Sequence, residues 1–197
     1  TTTRTRAIAL LASAAALLGV VSTGATAGAG TSRAHTWPAR AAAPEATPVL
    51  KADYKFNGNR RSPSPAAPAL FDIGNGGTST FATENVDGVD RRVLRFPDGN
   101  GLQLIDANRV IPRNRYTIVV KFRFDTVDSF NRVIDFSRAV LDSGPYVFNG
   151  QFVLFSDDYD TVANIDADEW VNVVLTRSQA GRIRGYVDGT QVFDVTN

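Results

Sequence analysis

Beyond about residue 50, apolar and polar residues alternate with a period of two over most of the chain. In Arg115–Asp125, "RYTIVVKFRFD", the residues Tyr116, Ile118, Val120, Phe122 and Phe124 recur on one face. Thr117, Lys121 and Arg123 take the other, with Val119 the one apolar exception. Successive side chains of an extended strand point to opposite faces, so this run predicts a strand half-buried on a core. The same pattern predicts strands at Arg132–Phe136, Pro145–Asn149, Gln151–Phe155, Trp170–Arg177, Arg182–Val187 and Thr190–Val195. Shorter ones are predicted at Ala52–Asn57, Arg92–Phe96 and Leu102–Ile105. No sustained helical stripe crosses this region, and only "SRAVLDS", Ser137–Ser143, leaves room for a helical turn.

The turns between these runs carry their own chemistry. "YVFNGQFVLF" and "YVDGTQVFDV" each place a turn pair ending in Gly between two alternating segments. A two-residue hairpin needs positive φ at both central residues, which Asn-Gly and Asp-Gly tolerate best. Asp188 is therefore read as a turn former rather than a functional carboxylate. Many short strands joined by Gly, Asn and Asp turns predict an all-β fold, an antiparallel β-sandwich or barrel.

Before residue 50 the pattern changes. Arg4 and Arg6 precede an apolar run from Ala7 to Val21, and small residues follow to Ala25-Thr26-Ala27. A basic start, a short apolar stretch and an A-x-A site predict a secretory signal peptide over residues 1–27, cleaved near Ala27. The apolar run is shorter than the roughly 20 residues a membrane span needs. Residues 28–49, rich in Ala, Pro and Thr, read as a flexible spacer that holds the single histidine, His35, and Trp37. Residues 50–197 remain as the domain. Position 1 is not Met, and the reading expects the natural start to lie elsewhere.

Composition narrows the chemistry. The chain has no Cys, which removes disulfides, zinc-thiolate sites and thiol nucleophiles together. Lys and Arg total 21 against 20 Asp and Glu, and without the two leader arginines the net charge falls from +1 to −1. A near-neutral mature chain gives no electrostatic case for nucleic acid and carries no signature of membrane insertion.

The C-terminal third resembles a known family. In "ADEWVNVVLTRSQAGRIRGYVDGTQV" a Trp opens a strand that runs through apolar residues to Thr176-Arg177. A polar turn and the hairpin Tyr186-Val187-Asp188-Gly189 follow. This is similar to the laminin-G-like jelly rolls of the concanavalin A-like lectin and glucanase superfamily. "RVLRFPDGNGLQL" and "YTIVVKFRFDTVDSFNRVIDFS" resemble earlier strands of the same pattern, so the likeness runs from about Ala52 to the end. It implies a jelly-roll sandwich in a secreted bacterial protein. It also implies further strands after the Asp-Gly hairpin, the last of them beside the first, and so a sandwich missing its last strands here.

Glycosidases of that superfamily carry an E-x-D-x-x-E motif, because glycoside hydrolysis needs two carboxylates about 5 Å apart or wider. Only Glu45, Glu84 and Glu169 occur, none in that spacing, and Asp166, Asp168 and Glu169 read as a charged turn before Trp170. His35 lies in the spacer, so no His-dependent triad is expected in the domain. Calcium is the better candidate cofactor, since hard cations take several loop oxygens, and Asp157, Asp158 and Asp160 of "SDDYD" are the candidate ligands. Tyr159 among them, with Asp98 and Asn100 of "PDGNG", forms the candidate sugar-contacting set. Trp170, at a strand start, is expected in the core. Arg91, Arg92 and Arg95, and Arg109, Arg113 and Arg115, are candidates for sulfated glycan but read first as solvated surface. The expected function is an exported, non-catalytic module that binds glycan or an extracellular protein. The alternatives are a glycoside-hydrolase relative and a structural or adhesion module of a longer protein.

Overall fold

The computed structural model describes the backbone of residues 5–9 and all of residues 49–137, 144–154 and 165–196. The chain divides into two units, Thr1–Ala12 with Lys51–Asn197, and Ser13–Leu50, and the described strands all belong to the first. In chain order they are β1 (Thr5–Ala9), β2 (Phe71–Gly74), β3 (Thr80–Val86), β4 (Val89–Pro97), β5 (Asn100–Gln103) and β6 (Tyr116–Phe124). They continue with β7 (Phe130–Arg132), β8 (Pro145–Phe148), β9 (Gln151–Leu154), β10 (Val171–Arg177), β11 (Arg182–Val187) and β12 (Thr190–Thr196). Among the described residues no helix is long and apolar enough to cross a membrane.

The architecture is all-β and antiparallel. One sheet has seven strands in the order β12-β11-β10-β6-β1-β4-β3, a second has three in the order β7-β8-β9, and β2 pairs with β5 in a ribbon. The alternation in β6 sorts its apolar face as the sequence predicts, with Val120, Phe122 and Phe124 buried and Thr117 exposed, but Lys121 on the opposite face is buried as well. Val173 of β10 lies opposite Val120, and Val187 of β11 lies opposite Val173, so one apolar row crosses three strands. That row belongs to a cluster that also holds Val147 of β8 and Phe152 of β9, so the seven- and three-stranded sheets share one core. Removal of this apolar surface from water is the main favourable term in folding.

Three hairpins use one device. Asp87-Gly88, Asn149-Gly150 and Asp188-Gly189 all sit at positive φ, joining β3 to β4, β8 to β9 and β11 to β12. Gly185 serves a different need. A Cβ there would stand 2.2 Å from the Phe193 ring, so the ring packs directly on the β11 backbone beside the register shift between Gly185 and Tyr186.

Some predicted strands take a different form. Ala52–Asn57 joins no sheet: the Asp53 amide donates to Ser62 Oγ at 2.9 Å, and Phe56 turns to positive φ. Its alternation still reports burial, because Tyr54 and Phe56 pack with Ala67, Leu94 and Val110. The run at Arg132–Phe136 leaves the ladder early, since both Val133 and Ile134 donate to the Pro145 carbonyl, and β7 lies at Phe130–Arg132 instead. β5 sits two residues earlier than expected, and β2 and β3 were not predicted. Thr5–Ala9, the basic start of the predicted leader, is placed as β1 between β4 and β6. Residues 138–143 of the candidate helical turn lie outside the described residues.

Candidate functional site

Asn100 stands at the turn from β4 into β5, and both ends of its amide are engaged. Its Oδ1 accepts the Gly76 amide and its Nδ2 donates to the Gly77 carbonyl, each at 2.7 Å. The approach is so close that a Cβ on Gly74 would stand 2.0 Å from the Gly99 carbonyl oxygen, and one on Gly76 1.8 Å from that of Asp98. Asn100 therefore clasps the 74–77 loop to the turn. The neighbouring Asp98 is exposed. Tyr159, Asp157, Asp158 and Asp160 lie outside the described residues. The residues on either side of that segment are anchored on the three-stranded sheet: Leu154 pairs with Pro145, and the Ile165 amide donates to the Gly150 carbonyl.

Other carboxylates lie in turns or in local ion pairs. Asp166, Asp168 and Glu169 are exposed in the turn before β10, with Asp168 at positive φ and its amide on the Phe124 carbonyl at 2.8 Å. Asp188 takes the positive φ its turn demands and accepts the Asn172 amide at 2.9 Å. Asp194 receives a two-pronged contact from Arg182, at 2.6 and 2.7 Å, and a third bond from Arg184 at 3.1 Å. The Arg182 hydrogen bond, helped by Arg184 and opposed by partial desolvation, lowers the Asp194 pKa below its ordinary value and raises that of Arg182. Among the described residues no group of three or more His, Cys, Asp or Glu is arranged to hold a metal ion.

The outer face of the seven-stranded sheet carries a buried charge network. The Glu84 carboxylate is held between Arg95 Nε and Arg123, the latter at 3.0 Å, and Lys121 reaches Asp87 at 2.5 Å. Trp170 lies half-buried on this same side: its indole N–H donates to the Asn85 carbonyl at 3.0 Å, and Arg123 stacks over its ring at 5.6 Å. So Trp170 closes a polar network as well as packing on Val86 and Val93. Arg91 and Arg92, like Arg109, Arg113 and Arg115, are exposed.

The arrangement best suited to a ligand is on the three-stranded sheet, and sequence reasoning did not single it out. β7 pairs Phe130 with Phe148 and Arg132 with Tyr146, which puts all four on the face opposite the core residue Val147. Phe130 stacks on Phe148 with centroids 4.2 Å apart and meets Tyr146 edge-on at 5.9 Å. Phe130 keeps 46% of its surface exposed. Beside the rings, Arg132 Nε donates to Tyr146 Oη at 2.8 Å and its terminal nitrogen to Asp135 at 2.5 Å. Gln151 of β9, opposite Phe148, adds a side-chain amide to the same face. Of the three rings Phe130 alone is exposed, Tyr146 being buried at 4%, and a half-exposed ring next to an oriented guanidinium, carboxylate and amide can stack on the C–H face of a sugar ring and bond its hydroxyls. The signal was present in "SFNRV" and "YVFNGQ", but only the β7–β8 register joins them.

Scans against protein-family models, curated proteins and solved structures each find no match to this chain.

Proposed function

We propose that this chain is an exported, non-catalytic binding module of the laminin-G-like jelly-roll type. It recognises carbohydrate, or a glycan-bearing extracellular protein, on the outer face of the three-stranded sheet. The carrying observation is the Phe130–Phe148 stack, with Phe130 46% exposed beside the Arg132–Asp135 pair. The platform offers apolar contact and fixed polar groups together, which is the pairing that orients a polar ring. Calcium enters this reading through Asp157, Asp158 and Asp160, whose segment leaves the same sheet after Leu154.

The test is glycan-array binding of the full chain, with and without a calcium chelator. Binding is expected to fall about tenfold or more with Phe130→Ala and with Arg132→Ala, and to persist with Phe136→Ala, which removes an exposed ring near Tyr116 instead. Absence of binding in both conditions, or binding indifferent to Phe130, overturns the reading. Insensitivity to the chelator removes calcium from it and leaves the platform. Export is tested by recovering the protein from culture medium and sequencing its N-terminus.

A further inference from the structure

We propose that the end of the core beside Arg177 is a site for a small aromatic carboxylate, held by the Arg177 guanidinium and walled by the rings of Tyr116 and Phe136. One row of side chains crosses four strands there. The registers set Val195 of β12 opposite Ile183 of β11, Ile183 opposite Arg177 of β10, and Arg177 opposite Tyr116 of β6. Ile183 is buried in the core, and Val195 and Tyr116 pack against it. Arg177 follows Val173 and Leu175 at two-residue spacing, so it stands on the core face too, a cation in an otherwise apolar row. Phe136, 48% exposed, comes from the segment after β7 and meets the Tyr116 ring with centroids 5.5 Å apart.

Among the described residues Arg177 has no carboxylate partner: its Nε is enclosed without an acceptor, while its terminal nitrogens reach solvent. The carboxylates that flank the row in sequence are committed elsewhere. Asp135 holds Arg132 and the Ser137 amide, and Asp194 holds Arg182 and Arg184. A half-buried cation without a counter-charge is unfavourable, and an anion supplied from outside relieves it. The two terminal nitrogens of a guanidinium match the two oxygens of a carboxylate. The charge acts on the ring beside it, since Arg177 lowers the Tyr116 pKa that burial raises. Tyr116 and Phe136 then ask for a flat apolar body behind the carboxylate, because aromatic rings pack best edge-on or offset against another ring. The site is independent of the glycan platform: Phe130 and Phe148 lie on the outer face of the other sheet, and Arg177 faces the core.

The probe is benzoate, titrated against the full chain by NMR, with benzyl alcohol as the uncharged ring and acetate as the carboxylate without a ring. Benzoate is expected to bind saturably and to shift the Tyr116 and Phe136 ring signals, with both controls weaker by about tenfold or more. Arg177→Met should weaken benzoate about tenfold or more. The same change should raise the thermal midpoint by about 2 °C, because an apolar side chain of similar length removes the unpaired charge. Phe130→Ala should leave benzoate binding unchanged. If Arg177→Met prevents folding, Arg177→Lys decides: it keeps the charge without the planar fork and should weaken benzoate about tenfold. No binding of benzoate, equal binding of all three probes, or binding that survives the Arg177 substitution overturns the proposal. A midpoint lowered by Arg177→Met would reveal a counter-charge within the chain and overturns it as well.

Discussion

Asp188 and Asn172 hold each other twice: the Asp188 amide donates to the Asn172 carbonyl at 2.9 Å, and the Asp188 carboxylate accepts the Asn172 amide at 2.9 Å. The hairpin turn is thus also the clasp that closes the β10–β11 ladder beyond the Val173–Val187 pair. Asp188→Ala loses one hydrogen bond and puts an ill-suited residue at a φ of 44°, and should cost about 1–2 kcal/mol in urea unfolding. Asp188→Asn keeps an acceptor and tolerates that backbone, so its cost should stay within about 0.5 kcal/mol. Glycan binding should survive both changes in the folded chain; loss of binding with retained stability would return Asp188 to the functional residues.

Among the described residues Glu84 is the one carboxylate between Arg95 and Arg123, and its side chain is 5% exposed. Glu84→Gln leaves the half-buried Arg123 without its counter-charge. The expected loss is about 2–3 kcal/mol, less than a fully enclosed pair would give, because Arg95 is 43% exposed. Adding Arg123→Met should recover part of it. Strict additivity of the two substitutions would show that the pair is not coupled.

Gly185 and Phe193 test the packing at the register shift. Gly185→Ala drives a methyl group into the ring and should cost about 1–3 kcal/mol. In a Phe193→Leu background the same substitution should cost clearly less. An equal cost in both backgrounds would trace the effect to the backbone instead of the ring.

What the sequence made legible follows from how local each signal is. In Tyr116–Phe124 alternation names the core face without knowledge of a partner, but it gave no sign that Lys121 on the other face is buried too. Ala52–Asn57 shows the limit of that signal: Tyr54 and Phe56 are buried as the period implies, yet the Asp53 amide is bonded to Ser62 and no ladder forms. β3 escaped notice because a buried Glu84 breaks its apolar period, although Val86-Asp87-Gly88 carries the same turn chemistry as Val187-Asp188-Gly189. The candidate site depends on distant partners and was less visible. Asn100 looked like a ligand amide, but its partners, Gly76 and Gly77, lie more than twenty residues away. Phe130 and Phe148 become neighbours only through the β7–β8 register.

Acid should loosen the β11–β12 hairpin first at Asp194. Its pKa is lowered in the fold, chiefly by the Arg182 hydrogen bond, below the ordinary 3.8. The native state then binds fewer protons than the unfolded one, so this contribution is present above about pH 3.8 and is lost as the pH falls through the depressed value. Amide exchange at Arg182 and Arg184 should accelerate over that range more than at Val173. Asp194→Asn should remove the pH dependence, and a dependence that survives it would point to another carboxylate.

Alkali acts on Tyr54 with the opposite sign. Burial, and then the Asp106 carboxylate, raise its pKa above the ordinary 10.0, while its phenol donates to the Pro68 carbonyl at 2.7 Å. Ionisation would remove that donor and place a phenolate against a carbonyl oxygen. Between the unfolded and folded pKa values the native state holds a proton that the unfolded chain has released. Stability is therefore full below about pH 10 and declines as the pH rises through the raised value. Tyr116, raised by burial and partly offset by Arg177, adds to the same slope. Tyr54→Phe should cost about 1 kcal/mol at neutral pH through the lost hydrogen bond, and should flatten the decline in urea midpoint above pH 10. If the decline is unchanged in Tyr54→Phe and disappears in Tyr116→Phe, the alkaline transition belongs to the end of β6 and not to the Tyr54 cluster.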